Sequence, residues 1–168
     1  MRALLLGCLA AGLLCGQGAK ADRWAPLSFL IGEWVGEGGG GSGQGSGGPG
    51  QGSGGFSFLL EQDGNVLVRK NWADYPASKD QPAYSHTDLM IVYEEDGKLR
   101  AIYFDSEGHV IHYEVEAGGE GNSVRFLSKG YRLTYRRTGA ETVGILFEVA
   151  DRGGAFRTYI QAAGRRKR

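Results

Sequence analysis

Cysteine is confined to the first fifteen residues of this chain, at Cys8 and Cys15, and none follows. Everything after them is therefore free of disulfides and of thiol nucleophiles. Proline is scarce, with 4 residues, and histidine scarcer, at His86, His109 and His112. No apolar run reaches the roughly 20 residues that a membrane-spanning helix needs. No segment sustains a 3.6-residue apolar period between caps, apart from a single turn at Trp24 to Phe29. Charge of one sign is not in excess either, since 19 basic residues face 19 acidic ones. That balance points to no nucleic acid or other polyanion as a partner. Nor is there a G-x-S-x-G elbow or a zinc-ligand signature, so an enzyme is not the expected reading.

What is present begins with Met1-Arg2, an apolar run from Ala3 to Cys15, and Ala19-Lys20-Ala21 before Asp22. This is the pattern of a secretory signal peptide over residues 1–21, which implies export to a periplasmic or extracellular space. Leu5-Leu6-Gly7-Cys8 looks like a lipobox. A cut before Cys8 would leave almost no hydrophobic stretch ahead of it, so lipid anchoring is not expected. The mature chain, residues 22–168, is long enough to fold as one domain on its core alone.

From Gly36 to Gly55 the residues are almost all Gly, Ser and Gln, and SGQGSGG at Ser42 to Gly48 recurs as PGQGSGG at Pro49 to Gly55. Such a tract buries too little to offset its ordering entropy and is expected to be a flexible loop. Gly43, Gly45 and Gly48 satisfy G-x-G-x-x-G, but a strand rather than a helix follows, so phosphate binding is not expected there. At the far end, the basic run at residues 164–168 reads as a solvated, frayed tail.

Between these ends lie ten strand-like segments. Asp63-Gly64 and Asp96-Gly97 are strong hairpin turns, flanked by Phe56 to Gln62, Asn65 to Trp72, Ser85 to Glu95 and Lys98 to Phe104. Further segments are Leu30 to Val35, His109 to Ala117, Ser123 to Ser128, Tyr131 to Thr138, Thr142 to Ala150 and Phe156 to Ala162. Even spacing in consecutive hairpins favours an all-β, antiparallel, up-and-down barrel, because closure removes exposed edges.

The turns also set a register. A two-residue turn at Asp96-Gly97 pairs Val92 with Ala101 and Met90 with Tyr103. A three-residue loop at Ser106-Glu107-Gly108 then pairs Tyr103 with Ile111 and Ala101 with Tyr113. One face collects Met90, Val92, Leu99, Ala101, Tyr103, Ile111, Tyr113 and Val115 and is taken as the lumen. At its end sits a rim cluster of Asp88, Asp105 and His109. The other face carries Leu89, Ile91, Ile102 and Phe104, which leaves room for a homodimer contact, together with Arg100 opposite Glu114. His109 and His112 point to opposite faces of a strand, so they make no metal site. In the first hairpin Phe58 pairs with Arg69, and two phases stay open: Arg69 inward with Phe56, Phe58 and Leu60, or outward with Leu59, Val66 and Val68 inward.

Gly32-Glu33-Trp34 is a GxW motif opening the first strand after a short lead. It resembles the calycins, which include lipocalins, fatty-acid-binding proteins and nitrobindin-like barrels; Leu30 to Gly38 looks most like the nitrobindin type. The resemblance implies that Trp34 plugs the barrel base. Nitrobindin-like barrels hold haem through a histidine late in the chain, whereas none follows His112 here. Fatty-acid-binding proteins meet a ligand carboxylate with Arg-x-Tyr on the last strand, to which Arg157-Thr158-Tyr159 is similar.

The leading expectation is a binding protein for a small apolar or amphipathic molecule. Arg69, or Arg157 and Tyr159, would meet a polar head, and Tyr103 and Tyr113 would line the wall. No cofactor is expected, haem on His109 or His86 being the alternative. An interaction module without a ligand, using the face of Leu89, Ile91, Ile102 and Phe104, is the other alternative, and catalysis by Asp88, Asp105 and His109 ranks below both.

Overall fold

The computed structural model describes residues 23–37, 52–79 and 82–168. The proposed signal segment 1–21 and most of the glycine tract lie outside the described residues.

A short 3-10 helix, Ala25–Leu30, leads into β1 (Gly32–Glu37). It is followed by β2 (Ser53–Glu61), β3 (Val66–Tyr75), β4 (Tyr84–Glu95), β5 (Lys98–Asp105) and β6 (Val110–Ala117). Then come β7 (Ser123–Leu127), β8 (Tyr131–Arg137), β9 (Thr142–Ala150) and β10 (Phe156–Arg166). Each strand pairs antiparallel with its sequence neighbours, and β1 also pairs with β10, so the ten strands form a closed barrel. Closure leaves no edge for another strand to pair with.

The register follows from the turns. Asp96 and Gly97 both have positive φ, at 51° and 73°, which is the geometry of a tight hairpin turn, and Glu95 faces Lys98 across it. Met90 faces Tyr103, Val92 faces Ala101, Tyr103 faces Ile111 and Ala101 faces Tyr113, as the turn argument requires. Phe58 faces Arg69, and Arg69 is buried at 6% exposure, which excludes the outward phase for that residue.

Two segments run further than composition suggests. β1 continues to Glu37 and β2 starts at Ser53, because backbone pairing carries the strands into the glycine tract from both ends. Nor does the basic run fray. Arg165 and Arg166 belong to β10, where they pair with Val35 and Trp34, and Lys167 meets Glu33 at 2.7 Å. Partners on β1, unseen in the tail's own composition, hold it in place.

One end of the barrel is shut by the 3-10 helix, which buries Leu27, Phe29 and Leu30. Trp34 lies above it, stacked on Phe56 at 5.8 Å, and donates its indole N–H to the Leu30 carbonyl at 2.8 Å. From this base a run of ring contacts climbs the lumen through Phe58, Tyr135, Phe126 and Tyr113 to Tyr103. Ring edges meeting ring faces let bulky side chains fill a narrow barrel. The base half is thus occupied by the protein's own side chains.

Candidate functional site

Above the packed base, the inner faces of β3, β4 and β5 change from apolar to polar within one pleat. Leu67, Val92 and Ala101 share one level, Arg69, Met90 and Tyr103 the next, and Asn71, Asp88 and Asp105 the one after. Strand alternation stacks these side chains in one column.

Arg69 and Asp88 form an ion pair within this column, their side chains 7% and 4% exposed. Asn71 donates to the second Asp88 oxygen at 2.9 Å. Burial works against the Arg69 charge, but Asp88, Tyr135 and Tyr103 more than offset it, so its pKa stands above the ordinary value. Such a pair is costly to break from one side, because the partner is left charged and buried.

Above Asp88 the column reaches the open end. His86 Nε2 lies 3.4 Å from Asp88, and its Nδ1 lies 3.1 Å from Glu107. These contacts, Asp88 first, hold the His86 pKa above its usual value against the opposing effect of burial. Glu107 also accepts from the Tyr84 hydroxyl. Bonds from Tyr84 and His86 lower the Glu107 pKa. Asp105 faces Asp88 across the strands and takes the His109 ring at 2.9 Å, with the backbone N–H groups of Glu107 and His109 on its other oxygen. Burial disfavours the Asp105 charge, but His109 and the two amides outweigh it and lower the pKa. Asp105, Glu107 and His109 place three ligand atoms within 4.8 Å of one another, the spacing of a cation site.

The rest of the open end is aromatic. Tyr131 stacks on Phe147 at 5.9 Å, and Phe147 meets the edge of Tyr159 at 6.0 Å. Tyr75 stacks on Tyr84 at 5.7 Å. Tyr103, Ile111, Tyr131, Ile145 and Phe147 pack on the core only partly buried.

Two polar atoms deep in the lumen are poorly paired. Arg69 Nε and Tyr135 Oη are buried, and among the described residues neither has a well-aligned hydrogen bond, although the two side chains interact with each other. The Arg69 guanidinium lies 5.9 Å from the Tyr135 ring centre. Burial pushes the Tyr135 hydroxyl up to about 12, although the nearby guanidinium pulls the other way.

The sequence-derived residues therefore divide. Arg69, Asp88, Tyr103, Asp105 and His109 come together in one connected column, and Tyr113 lines the lumen below Tyr103. Trp34 sits at the base. Arg157 stands apart: its side chain is 77% exposed and bonded to Asp151 at 2.9 Å. A register shift between Thr158 and Ile160 breaks the alternation around Tyr159, so the Arg-x-Tyr spacing does not carry its usual side-chain directions. The residues that sequence reasoning missed are Asn71, Tyr84, Glu107, Tyr131, Tyr135 and Phe147. The alternation Tyr131-Leu133-Tyr135 could have marked a lumen face of β8. That Tyr135 is poorly paired has no signature in sequence.

No protein-family model matches this chain, and comparison with the curated proteins finds no relative.

Proposed function

We propose that this chain is a calycin-like binding protein that takes a small apolar or amphipathic molecule into the mouth half of its lumen. The observation that carries this reading is the pair of buried polar atoms inside the lumen, Arg69 Nε and Tyr135 Oη, which interact with each other but have no well-aligned hydrogen bond among the described residues. A buried polar group left unsatisfied costs about 1–3 kcal/mol, so a ligand oxygen that reached either of these poorly paired atoms would be favoured. The partly buried rings of Tyr103, Tyr131 and Phe147 offer the apolar wall that such a molecule needs. Because Arg69 is already neutralised by Asp88, the favoured polar end is a carbonyl or hydroxyl oxygen in preference to a carboxylate.

Native mass spectrometry of the protein purified from its own host tests this directly. A stoichiometric small-molecule adduct is expected, together with saturable binding of the neutral reporter N-phenyl-1-naphthylamine that weakens severalfold in Tyr135→Phe. Absence of both an adduct and saturable reporter binding would refute the proposal.

A second reading, self-association through the outer wall, has its own support. Trp72 and Phe104 are 44% and 39% exposed. They flank an apolar groove of about 580 Å³ that Leu89 also lines. Apolar fields of this kind mark contact surfaces. Sedimentation velocity should show a concentration-dependent dimer that Leu89→Glu abolishes; a monomer at the highest attainable concentration would remove this reading.

A further inference from the structure

At the closed end of the barrel, away from the polar column, lies a cleft of about 480 Å³ between the β6–β7 connection and the β8–β9 turn. Its lining includes Ser123, Arg136, Arg137, Thr138 and the backbone of Gly119 and Gly139, and no carboxylate among the described side chains. Arg136 faces Ser123 across the β7–β8 ladder. Arg137 ends β8, donates its backbone N–H to the Asn122 carbonyl at 2.7 Å, and holds its guanidinium 5.4 Å from the Phe29 ring centre. Consecutive strand residues point to opposite faces, but the chain turns after Arg137, and the cleft straddles the rim so that both reach it.

Neither guanidinium has an acidic partner among the described residues. On the neighbouring outer wall the pattern is different: Arg125 pairs with Glu116, Arg132 with Glu148 and Arg165 with Glu37, all within 2.9 Å. Two adjacent guanidiniums with a serine hydroxyl, and no acid paired with either among the described residues, form a concentrated donor field. Planar forks of this kind match a tetrahedral oxyanion through charge-assisted hydrogen bonds. The ring of Phe29 holds one of them in place before any ligand arrives, which lowers the ordering cost of binding.

We infer that this cleft binds a phosphate monoester group, at a site separate from the lumen. The cleft is open to solvent, which leaves room for a phosphate carried on a larger molecule. That carrier is either a soluble phosphoester or a lipid headgroup.

The test is an NMR titration of the full chain with inorganic phosphate at constant ionic strength, following the amides of Ser123, Thr138 and Gly139. Saturable shifts confined to these amides are expected. The Arg136→Gln/Arg137→Gln double variant should weaken binding at least about tenfold, the loss of two charge-assisted contacts. Gly119→Leu gives an independent check. A Cβ there meets nothing within 4 Å and the backbone is not left-handed, so the fold should stand while the leucine side chain crowds the cleft. Vesicles of phosphatidic acid, against phosphatidylcholine alone, separate the sources. Vesicle binding displaced by phosphate assigns the lipid; phosphate shifts without vesicle binding assign the soluble ester. Absence of saturable shifts, or shifts that survive in both variants, overturns the inference.

Discussion

The Arg166 guanidinium lies over the Trp34 ring, 4.4 Å from its centre, and joins the last strand of the barrel to the first. It donates to the Ile31 carbonyl at 2.7 Å and to the Phe29 carbonyl at 3.0 Å, tying down the 3-10 helix that closes the base. Gly32 makes the approach feasible. Its φ is +130°, and a methyl group there would sit 2.5 Å from Arg166 Nη1. The glycine of the GxW motif is therefore the space through which the arginine reaches the carbonyls.

Replacing Arg166 by Met keeps much of the stem's packing and removes two hydrogen bonds and the cation. We expect a loss of about 2–4 kcal/mol in urea denaturation, with Arg166→Lys intermediate because it lacks the fork. A change below about 0.5 kcal/mol, the usual range of surface substitutions, would show that the base is closed by apolar packing alone.

How much of this was legible beforehand depends on where the determining contact lies. The turns at Asp96-Gly97 and Ser106-Gly108 are local, so the pairings of Met90, Tyr103 and Ile111 could be derived from sequence alone. Arg69 was ambiguous because alternation permits two phases, and what settles it is burial beside Asp88 on the next strand. Arg166 was misread, since a run of basic residues signals solvent unless its partners are known, and these are backbone carbonyls near the other end of the chain. The irregularity at Tyr159 has no local residue signature, so the phase of Arg157 was not recoverable.

The Tyr135 hydroxyl is buried with no well-aligned hydrogen bond among the described residues, its contact with Arg69 included, so its removal should carry little stability penalty in the ligand-free protein. Tyr135→Phe is expected to be neutral or to gain up to about 1 kcal/mol by urea denaturation, because a poorly paired polar group leaves the core while the ring contacts remain. A clear destabilisation, above about 1 kcal/mol, would mean that Arg69 or an ordered water satisfies the hydroxyl in the free protein.

Arg69 and Asp88 should behave as a unit. Arg69→Met leaves a carboxylate buried beside Asn71 and His86 and is expected to cost about 3–5 kcal/mol. Adding Asp88→Asn removes the stranded charge and should restore a large part of that loss. The double-mutant cycle measures the coupling; additive effects would mean that the two side chains do not depend on each other.

The polar column also makes stability depend on pH in two opposite ways. His86 has a raised folded pKa through Asp88 and Glu107, so its contribution is fully present below the unfolded value of about 6.5 and is lost as pH rises through the folded value. Asp105 and Glu107 have lowered folded pKa values, so their contributions are present above the unfolded carboxylate range, about 4, and are lost as pH falls through the folded values. The urea midpoint should therefore be greatest between about pH 4.5 and 6.5 and should decline on the alkaline side. His86→Gln keeps a donor but cannot be charged, so it should flatten that alkaline decline and leave the acid limb in place. An alkaline limb that stays unchanged in His86→Gln would mean that another group titrates there, and would detach His86 from the Asp88 and Glu107 carboxylates it bridges.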